Sequence, residues 1–216
     1  MTTSPHTVSD LMTHTAVAVG SRASYKDIVR LLNEWKVSAL PVLAGEGRVI
    51  GVVSEADLLP KEENRPTGDS APGDRPFADS AKADALYAEQ LMSTPAVTVH
   101  ADATVAEAAR IMARRQVKRL PVVDSGGLLQ GIISRGDLLK VFLRSDEDIA
   151  AEARTVLSEL PAASVIGVQV ADGVVTLGGA LSDRALVPLV ARAVRAVEGV
   201  VDIRLDLGDH EARRGS

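Results

Sequence analysis

The chain has 216 residues, of which 46% are hydrophobic and 25% are charged, and its net charge is -5. This hydrophobic content is enough for packed cores and excludes a wholly disordered protein. The acidic balance argues against a general binder of the nucleic-acid backbone. Aromatic residues are only 2% of the chain, so the cores must be aliphatic and stacking platforms for single-stranded nucleic acid are not expected.

The chain contains no cysteine, which excludes disulfides, thiolate metal sites and cysteine nucleophiles. Its first residues do not combine a charged segment with an apolar one, as a secretory signal would. No run of about 18 apolar residues is present either. We therefore expect a cytoplasmic protein.

The first two thirds of the chain contain an internal duplication without gaps. When 8–59 is aligned with 88–139, 17 of 52 positions are identical. The segment GVVSEADLL at 51–59, for example, aligns with GIISRGDLL at 131–139. Composition alone would not give this agreement, so the chain carries two copies of one structural unit.

Each copy is predicted to follow the order β-α-β-β-α. The first copy has a strand at 16–19, a helix after the capping box of Ser24 and Asp27, strands at 40–43 and 49–53, and a helix from Ser54. The second copy has a strand at 96–99, a helix after Thr104 and Glu107, strands at 120–123 and 129–133, and a helix from Ser134. Trp35 lies on the apolar face of the first long helix, so we expect it in the core.

Residues 60–82 are rich in Pro, Gly, Asp and Ser, which predicts a mobile linker between the copies. Residues 83–91 then look helical. The last segment has a different order, α-β-β-α-β. Its predicted elements are helix 148–160, strand 165–170, a hairpin turn at Asp172 and Gly173, strand 174–177, helix 183–197 and a strand through 201–205.

The most informative local pattern is Gly-x-x-Ser-x-x-Asp, which occurs once in each copy where a strand leads into a helix. The two sets are Gly51, Ser54 and Asp57, and Gly131, Ser134 and Asp137. A hydroxyl at a helix start can donate to a phosphate, and a carboxylate one turn later can accept from ribose hydroxyls. Ser-x-x-Asp also fits a simple capping box, but its recurrence beside two Pro-Val strands favours a binding role.

The repeated unit resembles a CBS motif, and the pair resembles a Bateman module. The resemblance rests on VSALPV at 37–42 and VKRLPVVD at 117–124, each followed by its Gly-x-x-Ser-x-x-Asp segment. It covers about 8–60 and 86–143. It implies two clefts between the paired motifs that bind adenine nucleotides or related adenosyl ligands, each cleft built from both motifs.

The resemblance implies a set of residues for each cleft. Cleft A takes Thr15, Val17, Val37, Ser38, Ala39, Arg119, Ser134 and Asp137. Cleft B takes Ser54, Asp57, Pro95, Val97, Val117 and Lys118. Arg119 is at a position where the family often places a phosphate-binding arginine, whereas its counterpart is Ala39. An arginine–phosphate contact is among the stronger charge-assisted hydrogen bonds, so we expect cleft B to be weaker or empty.

The last segment resembles a BON domain over 147–208. The residues that carry this resemblance are VADGVVTLGGAL at 170–181 and VEGVVDIRLDLG at 197–208. It implies contact with phospholipid or with a protein. No lysine follows Lys140, and the later arginines alternate with acids, so a polybasic lipid-binding surface is not evident.

The predicted fold class is therefore α/β (α+β): two tandem β-α-β-β-α CBS motifs packed as a pseudo-two-fold pair, then a small α-β-β-α-β BON domain. The predicted boundaries are 8–60 for the first motif, 61–85 for the linker, 86–144 for the second motif and 147–208 for the BON domain.

The sequence favours a non-catalytic regulatory protein in which the CBS pair senses AMP, ADP, ATP or another adenosyl compound and the BON domain is the output. The alternative is an interaction scaffold with degenerate clefts, whose BON domain contacts protein or phospholipid. No catalytic set, metal site, cofactor or nucleic-acid partner is predicted. A homodimer through CBS helices is expected, with an apolar run of Leu138, Leu139, Val141 and Phe142 at the end of the second unit.

Overall fold

The computed structural model describes residues 6–63, 85–160, 166–179 and 184–207. The chain divides into two compact units, one of residues 6–138 and one that comprises the chain from Leu139. Each unit has its own hydrophobic core. Most of the predicted linker, residues 64–84, lies outside the described residues, so its mobility stays a prediction.

The first unit holds both copies of the repeat. The first copy consists of α1 (Val8–Leu11), β1 (Val19–Gly20), α2 (Tyr25–Trp35), β2 (Ala39–Ala44), β3 (Arg48–Ser54) and α3 (Glu55–Glu63). The second consists of α4 (Ala88–Leu91), β4 (Val99–His100), α5 (Val105–Arg115), β5 (Arg119–Val123), β6 (Leu129–Ser134) and α6 (Arg135–Leu138). Each copy forms a three-stranded sheet in which the first pair of strands is parallel and the second antiparallel.

Helix α2 begins where its capping box predicts. The backbone N–H of Asp27 donates to the Ser24 hydroxyl oxygen, and that hydroxyl donates to Asp27 Oδ2 at 2.7 Å. The hydroxyl hydrogen bond lowers the pKa of Asp27 below its usual value, because it stabilises the ionised form. The helix ends at Lys36, whose φ of 52° is left-handed.

The two motifs are joined because each places its short first helix on the other motif. The N–H of Val8 donates to Ala103 O at 2.8 Å, and at the equivalent point of the second motif the N–H of Ala88 donates to Ala23 O at 3.0 Å. The side chain of Leu91 is fully buried in the core of the first motif. Neither motif therefore completes its core alone, which is expected for units of about 50 residues.

Several predicted elements differ from the structure. The strands predicted at 16–19 and 96–99 are only β1 and β4, two residues each, and the helix predicted over 83–91 is only α4. Helix α3 continues through Pro60 to Glu63, so the first residues of the predicted linker are helical. Lys61 is anchored there, since its ammonium group donates to Ala85 O at 2.9 Å.

The prediction that Trp35 lies in the core is also wrong, because its side chain is 55% exposed. The buried residues of α2 are Ile28 and Leu32, one turn apart. The apolar face of α2 is wider than the part that packs into the core. Trp35, in the last turn, lies on this face but outside the packed part.

The second unit begins with a 3₁₀ helix over Leu139–Leu143. It continues with α7 (Asp146–Ser158), β7 (Gly167–Ala171), β8 (Val174–Gly179), a 3₁₀ turn over Arg184–Leu186, α8 (Val187–Arg195) and β9 (Asp202–Leu207). The sheet order is β7-β8-β9, with β7 antiparallel and β9 parallel to the central strand. The helix predicted from 148 starts at Asp146, and the one predicted over 183–197 is split between the 3₁₀ turn and α8.

The predicted hairpin turn between β7 and β8 is confirmed. Asp172 and Gly173 both have positive φ, 51° and 72°, as a type I′ turn requires. The Asp146 carboxylate accepts hydrogen bonds from both of their backbone N–H groups, at 2.9 and 2.8 Å. A Cβ at Gly173 would lie 2.9 Å from Gly199 O, so only glycine fits this turn.

Candidate functional site

The two Ser/Asp pairs have nearly the same local geometry. Asp137 Oδ2 accepts from Ser134 N at 2.9 Å and from the Ser134 hydroxyl at 2.6 Å. Asp57 Oδ2 accepts from Ser54 in the same way, at 2.9 and 2.7 Å. The capping role considered for this pattern is therefore present in both copies. It also fixes each carboxylate beside a serine at the point where a strand ends.

Arg119 is placed next to the Ser/Asp pair of its own motif. In the antiparallel pairing of β5 with β6, Arg119 is directly opposite Ser134. Residues opposite one another in such a ladder project to the same face of the sheet. Ala39 is opposite Ser54 in the first motif, so the difference in charge predicted from the sequence occurs at equivalent positions.

The first residue of each Gly-x-x-Ser-x-x-Asp pattern allows the other motif to approach closely. The chain at Thr13 exchanges two backbone hydrogen bonds with Ile132, at 2.9 and 3.0 Å. A Cβ on Gly131 would lie 2.7 Å from Thr13 O, and one on Gly51 would contact Met92 Sδ and lie 3.0 Å from Ser93 O. Gly131 therefore lets the segment before Thr15 lie against the second motif, and Gly51 lets the segment at Met92 and Ser93 lie against the first. The sequence pattern did not reveal this role.

An open groove with a volume of about 510 Å³ lies beside Arg119. Its lining residues are Val29, Leu32, Asn33, Lys36, Val37, Ser38, Glu55, Leu58, Leu59 and Arg119. Three of them, Val37, Ser38 and Arg119, belong to the predicted cleft A. The other cleft A residues, including Ser134 and Asp137, are not part of this lining. Lys36 and Glu55 were not predicted as site residues, because Lys36 precedes VSALPV and Glu55 is one of the variable positions of Gly-x-x-Ser-x-x-Asp.

The residues of cleft A differ in exposure. Thr15 is exposed and Ala39 is buried, whereas Val17, Val37, Ser38, Arg119, Ser134 and Asp137 are half-buried. The guanidinium of Arg119 makes no hydrogen bond or ion pair with any residue in the described part of the chain. Its charge is therefore available to an anion.

Cleft B is more closed around its carboxylate. Asp57 is 9% exposed, and its second oxygen, Oδ1, accepts from the Ser93 hydroxyl at 3.4 Å. Of the predicted wall, Pro95 and Lys118 are exposed, whereas Val97 and Val117 are half-buried. Ser93 had not been predicted as part of the site.

Two further findings concern the whole of the described residues. Among 6–63, 85–160, 166–179 and 184–207, no group of three or more His, Asp or Glu side chains could hold a metal ion. Within the same ranges, no helix combines the length and the apolar character needed to cross a membrane.

Comparison with protein families identifies the class of this chain. The CBS domain matches residues 8–62 and 88–144, which is more than half of the chain, and the BON domain matches residues 145–207. The chain belongs to the CBS-domain family, with a BON domain after its CBS pair. These matches confirm both resemblances inferred from the sequence. They also confirm the predicted α+β fold class.

Among individual relatives, protein MJ1426 of Methanocaldococcus jannaschii is 29% identical over 134 residues, covering 54% of this chain and 80% of the relative. The chloroplastic protein CBSX2 of Arabidopsis thaliana is 32% identical over 155 residues and covers 64% of each chain. The crystal structure of CBSX2 in complex with AMP matches 64% of this chain and 97% of that one, with a TM-score of 0.55. This chain thus covers slightly less than two thirds of the full length of CBSX2.

Proposed function

We propose that this chain is a non-catalytic regulatory protein whose CBS pair binds an adenine nucleotide in cleft A and whose BON domain responds to that binding. The observation that carries the proposal is the position of Arg119, opposite Ser134 and beside the Ser134–Asp137 hydrogen bonds. A cation, a hydroxyl and a carboxylate on one edge of a cleft suit the phosphate and ribose of a nucleotide. The AMP complex of CBSX2 supports an adenine nucleotide as the ligand class.

A thermal-shift panel with AMP, ADP, ATP, NAD and S-adenosylmethionine tests this proposal. A ligand present at about 100 times its Kd should stabilise the folded chain by about 2.7 kcal/mol. For a chain of this size each kcal/mol raises Tm by about 2–4 °C, so a shift of about 5–10 °C is expected. If no adenosyl compound shifts Tm at millimolar concentration, the proposed function is wrong.

The proposed response is a population shift. A ligand that binds one arrangement of the two motifs more tightly than another favours that arrangement by the difference in binding free energy. Asp137 lies in α6, and the next residue after α6 is Leu139, with which the second unit begins. The ligand-binding helix and the output unit are therefore covalently adjacent, with no spacer between them.

For the output, we propose that the BON domain contacts a protein rather than bare anionic lipid. The exposed side of β9 carries Asp202, Arg204 and Asp206, so its cation is flanked by two acids. Anionic membranes attract clusters of Lys and Arg, by about 1 kcal/mol for each residue.

We therefore expect the intact chain not to sediment with mixed vesicles of phosphatidylcholine and phosphatidylserine in physiological salt. A polybasic peptide serves as the positive control. Salt-sensitive binding comparable to that of the control would contradict the assignment of a protein partner.

A scaffold that dimerises is the second candidate, because the structure exposes three apolar side chains on one short helix. Leu139, Phe142 and Leu143 are 61%, 51% and 82% exposed. On this 3₁₀ helix Leu139 and Phe142 are one turn apart, and Leu143 directly follows Phe142. Leu138 and Val141, from the same predicted apolar run, are buried at 7% and 8% and cannot contribute to an interface. We therefore place the predicted dimer contact on the three exposed side chains.

Phe142→Asp combined with Leu143→Asp should shift the chain from a dimer to a 22.7 kDa monomer in light scattering. Burying two charged groups in an apolar contact would be strongly unfavourable. Lys140→Asp, at an exposed neighbouring position, is the control for added negative charge. A monomeric wild-type chain at high concentration would rule out the dimer.

A further inference from the structure

The last strand of the BON domain is at an edge of its sheet. In the order β7-β8-β9, β9 pairs with β8 on one side, and no strand among the described residues pairs with its other side. Backbone N–H and C=O groups along such an edge can pair with an added strand. The six residues of β9 are a usual strand length, so the edge is long enough to accept one.

β9 also carries an apolar side chain that its own domain leaves partly uncovered. In the parallel pairing with β8, Leu205 is the partner of Leu177, and Ile203 is the partner of Val175. Both partners on β8 are fully buried, so Ile203 and Leu205 project to the core face of the sheet. Ile203 packs against that core, whereas Leu205 is 45% exposed. A further strand along this edge would cover Leu205.

The opposite face of β9 carries charges that complement a second copy of the same strand. Asp202, Arg204 and Asp206 alternate there, and all three are exposed. We consider two copies of β9 that run antiparallel, with Leu205 opposite Leu205 of the second copy. Arg204 of each copy is then opposite Asp206 of the other, and opposite charges at such cross-strand positions attract.

Other registers of the same antiparallel pair fit less well. With Arg204 opposite itself, like charges would face each other, and Asp202 would lie opposite Asp206. With Ile203 opposite itself, the two strands would overlap only over 202–204, whereas the register centred on Leu205 overlaps over 203–207. A shift by one residue would place the apolar face of one copy beside the charged face of the other.

The other edge strand of the sheet, β7, does not have this pattern. Its sequence, GVQVA at 167–171, contains no charged residue. One of its carbonyl groups, Val168 O, accepts from Arg154 Nη2 at 3.4 Å. The complementary edge is therefore β9.

We infer that the BON domain binds a second copy of this chain by antiparallel pairing of β9 with β9, with Leu205 at the two-fold axis. The contact is isologous and joins two three-stranded sheets into one continuous sheet. This inference rests on the proposal that the BON domain contacts a protein, and it names that protein. It uses the sheet edge and not the exposed side chains of the 3₁₀ helix Leu139–Leu143.

Disulfide formation in the full-length chain tests the register directly, because the chain has no cysteine of its own. In Leu205→Cys the two introduced thiols would be directly opposite each other. Cβ atoms at such positions are about 4.5–5.5 Å apart, close to the separation that a disulfide needs. Mild oxidation at micromolar concentration should convert most of this variant into a covalent dimer. Gln169→Cys, at an exposed position of β7, is the control for random collisions and should link far more slowly.

Charge substitutions give an independent test if Leu205→Cys folds poorly, since the charged residues of β9 are exposed. Arg204→Asp places an acid opposite each Asp206, so the Kd of the dimer in sedimentation equilibrium should rise about tenfold or more. Adding Asp206→Arg to it restores opposite charges and should return the Kd to within about threefold of wild type. Arg204→Asp with Asp202→Arg has the same composition but leaves residues 204 and 206 both acidic, so it should not restore the Kd.

Several results would overturn the inference. They are a monomeric wild-type chain, equal linking rates of the two cysteine variants, an unchanged Kd for Arg204→Asp, or recovery with Asp202→Arg instead of Asp206→Arg. None of these substitutions should alter the thermal shift with AMP, so failure of the pairing with that shift intact leaves the nucleotide-binding function standing. Binding of the wild-type chain to anionic vesicles would instead contradict the protein contact on which the inference rests.

Discussion

Replacing Arg119 with alanine should weaken AMP binding by about 10- to 100-fold. A hydrogen bond to a charged group contributes about 1.5–3 kcal/mol, and each 1.4 kcal/mol is about a factor of ten in Kd. Arg119 is half-buried and opposite Ser134, so the lost charge is close to the proposed phosphate position. Asp137→Ala should weaken binding similarly, because the ribose would lose its acceptor. Isothermal titration calorimetry measures both.

The matched substitutions in the other motif are the control for this prediction. Asp57→Ala removes from cleft B the carboxylate that Asp137→Ala removes from cleft A, and Ser54→Ala removes the hydroxyl beside it, at a site where Ala39 supplies no guanidinium. They should change the Kd of AMP by less than about threefold. Equal losses of affinity from both clefts would contradict the asymmetry, and Arg119→Ala with unchanged affinity would mean that this guanidinium does not contact the ligand. Circular dichroism of each variant confirms folding.

The elements that could be predicted from the sequence are those fixed by local patterns. The hairpins β2–β3 and β5–β6, the capped helices and the type I′ turn depend on residues only a few positions apart. The strand predicted at 16–19 is mostly absent because the chain there depends on a contact that is distant in the sequence. The chain before it pairs at Thr13 with Ile132 of the other motif, and no local periodicity encodes a partner so distant in the sequence.

The candidate site shows the same limit. The duplication identified Ser134 and Asp137, because each has an identical counterpart in the first copy, whereas Arg119 was identified from the resemblance to CBS motifs. Ser93 was missed because its contact with Asp57 crosses from one motif to the other. Gly131 was recognised as part of a pattern, but its task is set by the distance to Thr13 O, which only the folded pair defines.

The largest loss of stability is expected from Arg144→Ala in the second unit. Arg144 Nη1 is 2.7 Å from Glu152 Oε2 and donates to Glu198 O at 2.8 Å. Both charged side chains are only 17% exposed, so truncation leaves a largely buried carboxylate without its partner. Breaking such a pair costs about 3–5 kcal/mol when it is fully buried, and somewhat less here because some water reaches it.

This loss should be confined to the second unit. Trp35 is the single tryptophan of the chain and lies in the first unit, so its fluorescence reports unfolding there, whereas far-ultraviolet circular dichroism reports both units. We expect Arg144→Ala to lower the urea midpoint seen by circular dichroism, with little change in the Trp35 transition. Arg154→Ala is the control, because Arg154 is exposed on the same helix and makes only a 3.4 Å hydrogen bond.

A double substitution separates the charge pair from the packing of its aliphatic parts. Arg144→Met with Glu152→Met removes both charges and keeps comparable side-chain volume, so no buried carboxylate is left unpaired. It should recover much of the stability lost in Arg144→Ala, since a buried pair can be replaced by packed apolar groups at little net cost. If the double variant is no more stable than Arg144→Ala, the bond from Arg144 to Glu198 O, rather than the unpaired Glu152, accounts for the loss. Equal shifts of the Trp35 and circular-dichroism transitions would instead show that the two units unfold together.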